Sequence, residues 1–284
     1  MRNMFNNCAS LETIDVSKFN TAACTDMGYM FEYCGMLTKL DVSSFDFSSD
    51  STMYYMFAYD SALVELVLPE EIVCDEMINL NSAFRKLFCL TEFDMDVFVD
   101  ADNVNGLRYT FSYCPNLTKV SSKNNTWADA DMAYIFAYSC ENSASLDLSD
   151  FDVAEVAKFS YFFYRNKAQT LNLDNWDTNN ANAMSYMFYQ CPNLATLRLG
   201  KDFVWNVSGS NPTNFCGGTS DSTSGQMTSS VPGALKIYCT KETADWLATT
   251  LWRKLHWGSY GQVIDITFWD LTTGSEIFVE WSPS

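Results

Sequence analysis

The stretch Met27-Gly28-Tyr29-Met30-Phe31-Glu32-Tyr33-Cys34, followed by Leu37-Thr38-Lys39-Leu40-Asp41-Val42, decides how this chain folds, because it recurs. It returns as Met53-Tyr54-Tyr55-Met56-Phe57-Ala58-Tyr59-Asp60 with Leu63-Val64-Glu65-Leu66-Val67-Leu68. It returns again as Met184-Ser185-Tyr186-Met187-Phe188-Tyr189-Gln190-Cys191 with Leu194-Ala195-Thr196-Leu197-Arg198-Leu199. With the central phenylalanine as register mark, the copies stand at Phe5, Phe31, Phe57, Phe84, Phe111, Phe136, Phe163, Phe188 and a decayed Phe215. The intervals are 26, 26, 27, 27, 25, 27, 25 and 27 residues. A near-constant period of this length is the signature of a repeat architecture, in which one unit cannot bury its own apolar side and must stack on its neighbours.

Each unit divides in two. Met-x-x-Met-Phe-x-x-Cys-x-x-Leu places apolar groups three and four apart, the spacing of one face of a helical turn. Leu-Asp-Val-Ser alternates apolar and polar residues, as a short strand with one buried face does. An aromatic anchor follows (Phe19, Phe45, Phe98, Trp127, Phe151, Trp176 or Phe203), and a polar stretch then turns the chain. Cys8, Cys34, Cys114 and Cys191 all lie three residues after the mark, so the expected state is a column of buried thiols acting as small hydrophobes. Neighbouring thiols in such a column could also pair.

The repeat as it stands, Met-x-x-Met-Phe-x-x-Cys-x-x-Leu-x-x-Leu-Asp-Val-Ser-x-Phe-Asp/Asn-Thr, resembles the BspA-type leucine-rich repeat of large bacterial surface proteins, over residues 1–205. Copies four (Asn81-Ser82-Ala83-Phe84) and seven (Phe159-Ser160-Tyr161-Phe162-Phe163) depart from it by losing the methionines. The resemblance implies an α/β repeat solenoid, a right-handed leucine-rich-repeat coil with about eight short parallel strands. It also implies a cell-surface or secreted adhesion role toward a protein or glycan of a host or neighbouring cell. It carries no catalytic residues.

Residues 206–232, rich in Gly, Ser, Thr and Asn, read as a long loop holding the decayed repeat. Residues 233–284 read as a small α+β cap. In it, Leu235–Cys239 is a strand and Thr240–His256 a helix with buried Trp246, Leu247, Leu251 and Leu255. Two further strands, Ile264–Phe268 and Ile277–Trp281, form a hairpin about Thr272–Ser275. The first residues carry no apolar signal-peptide core, and Met1 stands four residues before the first mark. Either a leader and more repeats precede this sequence in the gene, or the chain starts here and its uncapped first coil associates end to end with another chain. The second case suits a structural component of a phage or secreted assembly.

The formal charge of −18 argues against nucleic acid, which needs a basic footprint, and against an anionic membrane surface. No run of about 18 apolar residues offers a membrane span. The single histidine, His256, has no nucleophile-and-acid setting; no CxxC pair suggests zinc, and Gly217-Gly218 lacks a phosphate-loop sequel. We therefore expect no enzyme, no cofactor and no metal. Two columns remain as candidate binding residues. Asp15, Asp41, Asp94 and Asp147 sit between the inward strand positions, with Val67, Ser121, Asn172 and Arg198 filling the other copies. They serve solubility and local hydrogen bonding, or a bridging calcium. Tyr29, Tyr55, Tyr109, Tyr134, Tyr161 and Tyr186 stand two before the mark, and Tyr33, Tyr59, Tyr113 and Tyr138 two after it. If exposed, that stripe stacks on sugars or docks a protein; if half-buried, it packs unit on unit.

Overall fold

In a computed structural model the chain is described at residues 1–74, 79–128, 130–204, 235–251 and 266–279. The fold is strand-rich and built of stacked repeats. Strands β1 (Lys39–Asp41) and β2 (Glu65–Val67) pair in parallel, Leu40 beside Leu66. Strand β3 (Ile72–Val73) pairs in parallel with β5 (Phe98–Val99) in a second short ladder. The main sheet runs from β4 (Glu92–Asp94) through β6 (Lys119–Ser121), β7 (Ser145–Asp147), β8 (Thr170–Leu173) and β9 (Thr196–Leu199), all parallel. Seven of the described strands thus come from the strand half of the repeat. A third line of pairing links Thr52, Asn79, Gly106, Asp131, Lys158 and Ala183, each five residues before its mark.

The sheet continues into the C-terminal unit. Strand β10 (Leu235–Cys239) pairs in parallel with β9, Ile237 beside Leu197. Helix α1 (Lys241–Leu251) starts at Thr240, whose Oγ1 accepts the Thr243 N–H at 3.1 Å, a common N-cap bond. Strand β11 (Ile266–Asp270) is again parallel to β10, which needs a crossover of the kind α1 begins. Strand β12 (Glu276–Ile277) closes the hairpin antiparallel to β11, as expected. Leu247 is buried and Trp246 half-buried. The expected loop at 206–232 and the residues Phe215, Leu255, His256 and Trp281 lie outside the described residues, as does the side chain of Leu251.

The helical reading of the Met-x-x-Met-Phe segment is wrong. Tyr29 and Tyr33 have φ of 58° and 62°, and Tyr55 and Tyr59 of 56° and 68°, so each segment is a run of turns with a left-handed residue every fourth position. Its N–H groups alternate between two destinations. Tyr29, Phe31 and Tyr33 donate to the carbonyls of Tyr54, Met56 and Ala58 in the next repeat, at 2.8 to 3.0 Å. Met30, Glu32 and Cys34 donate back three residues, to Met27, Tyr29 and Phe31. The three-and-four apolar spacing was sound, because Met27, Met30, Phe31 and Cys34 all point into the core. A period of four and one of 3.6 cannot be told apart over two turns.

The mark phenylalanines form a continuous ladder. Phe5, Phe31, Phe57, Phe84, Phe111, Phe136, Phe163 and Phe188 stack in order with centroids 5.3 to 6.2 Å apart. Buried indoles are satisfied: Trp127 Nε1 donates to Ser122 Oγ at 2.8 Å and Trp176 Nε1 to Leu148 O at 2.9 Å. No described cysteine stands in a disulfide.

The position three after the mark has a defined task. Cys34 Sγ donates to Phe5 O, Cys114 Sγ to Phe84 O and Cys191 Sγ to Phe163 O, at 3.1 to 3.3 Å. Ser139 Oγ does the same for Phe111 O at 2.6 Å, and Asn166 Nδ2 for Phe136 O at 3.1 Å. Each side chain caps the mark carbonyl of the repeat before it. Because a buried acceptor left bare costs about 1–3 kcal/mol, Cys114→Ser, which keeps a donor, should lower the urea midpoint less than Cys114→Val. Equal losses would remove the capping role.

Candidate functional site

The two candidate columns fare differently. The aspartates serve their own turns, and two also bind the next repeat: Ser121 Oγ donates to Asp94 Oδ1 at 3.1 Å and Asn172 Nδ2 to Asp147 Oδ1 at 3.0 Å. Asp15 Oδ1 accepts the Ser17 N–H, Asp41 the Ser43 N–H, Asp94 the Asp96 N–H and Asp147 the Ser149 N–H, at 2.9 to 3.1 Å. These are Asx turns that end each strand. The Ser17 and Ser43 bonds hold the Asp15 and Asp41 carboxyls below their ordinary range. The column is also broken. No strand pairing joins β2 to β4, and β6 meets β7 only at Lys119 beside Asp147, so Asp147 is out of step with Ser121. Among the described residues, no group of three or more Asp, Glu, Cys or His side chains is placed to hold a metal ion.

The tyrosines do come together, as a surface of stacked columns. Tyr29 lies on Tyr55 (5.4 Å between centroids), Tyr109 on Tyr134 (4.8 Å), Tyr134 on Tyr161 (4.6 Å) and Tyr161 on Tyr186 (4.8 Å). In the companion column Tyr33 lies on Tyr59 and Tyr113 on Tyr138, both at 4.4 Å. Both readings of the stripe therefore hold in part. Ring faces pack repeat on repeat, while the columns stay at the surface, Tyr33 45% and Tyr113 36% exposed and the others half-buried.

Ten tyrosines, all members of the two columns, occupy left-handed backbone here. That conformation costs an L-residue roughly 1–2 kcal/mol, and an aromatic pair returns about 0.5–1.5 kcal/mol. Burial pushes the Tyr134 phenol up to about 12, with Tyr109 and Tyr161 adding to it. It raises those of Tyr59 and Tyr113 as well, chiefly by desolvation.

Sequence reasoning missed the cations in this surface. Where the columns break at Ser82 and Lys86, Arg85 fills the gap. Its guanidinium lies 5.4 Å from the Tyr59 ring centroid, 5.2 Å from that of Tyr109 and 5.2 Å from that of Tyr113, and Nη1 donates to Tyr55 Oη at 3.3 Å. Lys86 Nζ stands 5.5 Å over Tyr59. At the second break Arg165 lies 5.6 Å over Tyr138 and 5.3 Å over Tyr164. The available signal was Lys86 and Arg165 standing where the period calls for tyrosine, with Arg85 beside Lys86. A separate cleft of about 230 Å³ is lined by Lys201, Phe203, Thr240, Trp246 and Leu247.

Fold and surface together define a strand-rich repeat protein carrying an aromatic and cationic face. The chain belongs to the family described as Mycoplasma protein of unknown function, DUF285, whose family model matches residues 1–71 and 74–199. No curated protein and no solved structure matches it significantly.

Proposed function

We propose that this chain is a leucine-rich-repeat solenoid of the BspA type, a right-handed coil closed by the C-terminal strand–helix–hairpin unit. It works as a non-catalytic binding module of a bacterial cell-surface or secreted protein. The parallel register of successive repeats supports the coil, and the motif supports the family kinship. The observation that carries the binding role is the tyrosine surface. Ten tyrosines sit at φ of 56° to 68°, where asparagine or glycine would be accommodated at less cost. Backbone strain repeated at the same two positions of successive units marks a surface with a use. Tyrosine offers that use directly, since it supplies large contact area with a polar tip and loses little side-chain entropy on binding.

The test is binding of the whole chain to arrayed glycans and purified host surface proteins, beside the double variant Tyr33→Asn/Tyr113→Asn. Asparagine tolerates left-handed backbone, so the fold is retained. The wild type should bind a defined ligand, and the variant should lose about tenfold or more in affinity, at an unchanged melting temperature. Absence of any ligand, or equal binding by the variant, would sink the reading.

A further inference from the structure

We infer that the gap in the tyrosine columns at Ser82 and Lys86 is the recognition point for a carboxylate-bearing polysaccharide, a uronate chain. Arg85 and Lys86 would take the carboxylate and the flanking phenols the sugar hydroxyls. This rests on the binding role above and names the ligand of that same surface.

The charge distribution is the first ground. In a chain of net charge −18, Arg85, Lys86 and Arg165 make no ion pair among the described residues, whereas most other described cations do. The strand side of the repeat holds the exposed acids Asp15, Asp41 and Asp94. A cation left without a carboxylate partner in so acidic a protein gives the tyrosine face a charge complementary to an anion.

Preorganisation is the second. Tyr59, Tyr109 and Tyr113 surround the Arg85 guanidinium on their ring faces, and Tyr55 Oη accepts from Nη1. Rings fix the fork without neutralising it. A guanidinium so held binds a carboxylate with little further loss of side-chain entropy. Lys86, the next residue, supplies a second cation at the same gap.

The character of the remaining surface selects a sugar over an acidic peptide. Tyrosine faces are already spent on each other, at 4.4 to 5.4 Å. The phenol hydroxyls are the polar groups this face offers. A protein hot spot wants an apolar pocket for an anchor, whereas a row of phenol hydroxyls repeating at the strand spacing suits a polymer whose own hydroxyls repeat at a similar interval. Arg165 at the second break repeats the device three repeats further on, so one extended chain can meet both cations.

The experiment titrates the full chain with oligogalacturonate, with its methyl ester as the neutral comparator and polyglutamate as the acidic peptide. We expect oligogalacturonate to bind at least about tenfold more tightly than the ester, and to weaken as salt is raised. Arg85→Gln and Lys86→Gln should each lose about tenfold or more, while Lys201→Gln, exposed and already paired with Asp202, changes nothing. Lys86→Gln leaves the tyrosine–arginine stack intact, so its result stands even if Arg85→Gln lowers stability. Equal affinity for acid and ester, tighter binding of polyglutamate, no binding of oligogalacturonate, or indifference to Lys86→Gln would each overturn the inference. If neutral glycans bind and the Tyr33→Asn/Tyr113→Asn variant loses them, the binding role survives and only the anionic ligand falls.

Discussion

Phe111→Ala should destabilise the chain by about 3–5 kcal/mol, read as a shift in the urea midpoint. Phe111 is fully buried between Phe84 (5.8 Å) and Phe136 (5.7 Å), with Phe93 at 5.3 Å. Its removal loses the transfer energy of the ring, leaves a cavity that stacked backbones cannot close, and breaks the ladder on both sides. In a stack where each unit touches only its neighbours, stability is a sum of unit and interface terms. One lost rung therefore weakens two interfaces. Phe84→Ala/Phe111→Ala should in consequence cost less than the sum of the two singles, since the pair shares one contact. Phe88→Ala, at a side chain 42% exposed and off the ladder, is the control and should stay within about 1 kcal/mol. A loss at Phe111 no greater than at Phe88 would mean that the ladder does not hold the stack together.

The ladder was legible from spacing alone, and so were the short strands, the C-terminal strand, helix and hairpin, and the inward thiols. Each of these depends on which side of the backbone an apolar group must face, and period reports that. Backbone conformation between the marks was not legible. Tyr29 and Tyr33 show the reason. Tyrosine is a poor candidate for left-handed backbone, and no glycine or asparagine signals the turn in most copies, so a helical turn was the natural reading of Met-x-x-Met-Phe. Only Asn3 and Asn7 in the first copy carry the residue type that favours positive φ, at 60° and 58°. The tyrosine columns themselves were found in sequence, since identical positions in stacked units must adjoin. Their complement was overlooked, because Arg85 and Arg165 matter through the rings above and below them, and those lie about 25 residues away in the chain. The aspartate column looked equally regular in sequence. It became a set of Asx turns, Asp94 and Asp147 also accepting from Ser121 and Asn172 of the next repeat, because i+2 amides and neutral neighbours satisfy a carboxylate where a like-charge ladder would not.

Raising the pH from about 5 to about 8 should destabilise the protein, and Asp60→Asn should remove much of that slope. Asp60 stands three after the mark, where Cys34, Cys114, Ser139, Asn166 and Cys191 each donate a hydrogen bond to the preceding mark carbonyl. Its Oδ1 accepts the Cys34 N–H at 2.7 Å, and its Oδ2 is buried without a partner. A carboxylate cannot fill a donor's place, but a carboxylic acid can. Burial pushes the group up to about 8, against the bond from Cys34 that favours the charge. Asp50 is similar: buried, accepting from the Met27 N–H, its Oδ2 also unpartnered, and pushed up to about 7 by burial. In the unfolded chain both ionise near the ordinary aspartate value of 3.8. Between that value and the folded one, the native state holds protons that the unfolded state has released. The stabilising contribution is complete below about pH 4 and is lost as pH rises toward 7 and 8, at up to about 1.4 kcal/mol per unit for each group. Exposed turn-capping carboxyls such as Asp15, Asp41 and Asp270 are lowered, so they pull the other way only as pH falls through the acid range below 3.8. Asp60→Asn keeps an acceptor for Cys34 N–H and supplies the donor that Asn166 already provides in its own repeat. The variant should therefore match the wild type near pH 5 and exceed it at pH 8, with Asp50→Asn/Asp60→Asn flatter still. Melting curves that run parallel for variant and wild type across that range would show that Asp60 does not hold its proton in the native stack.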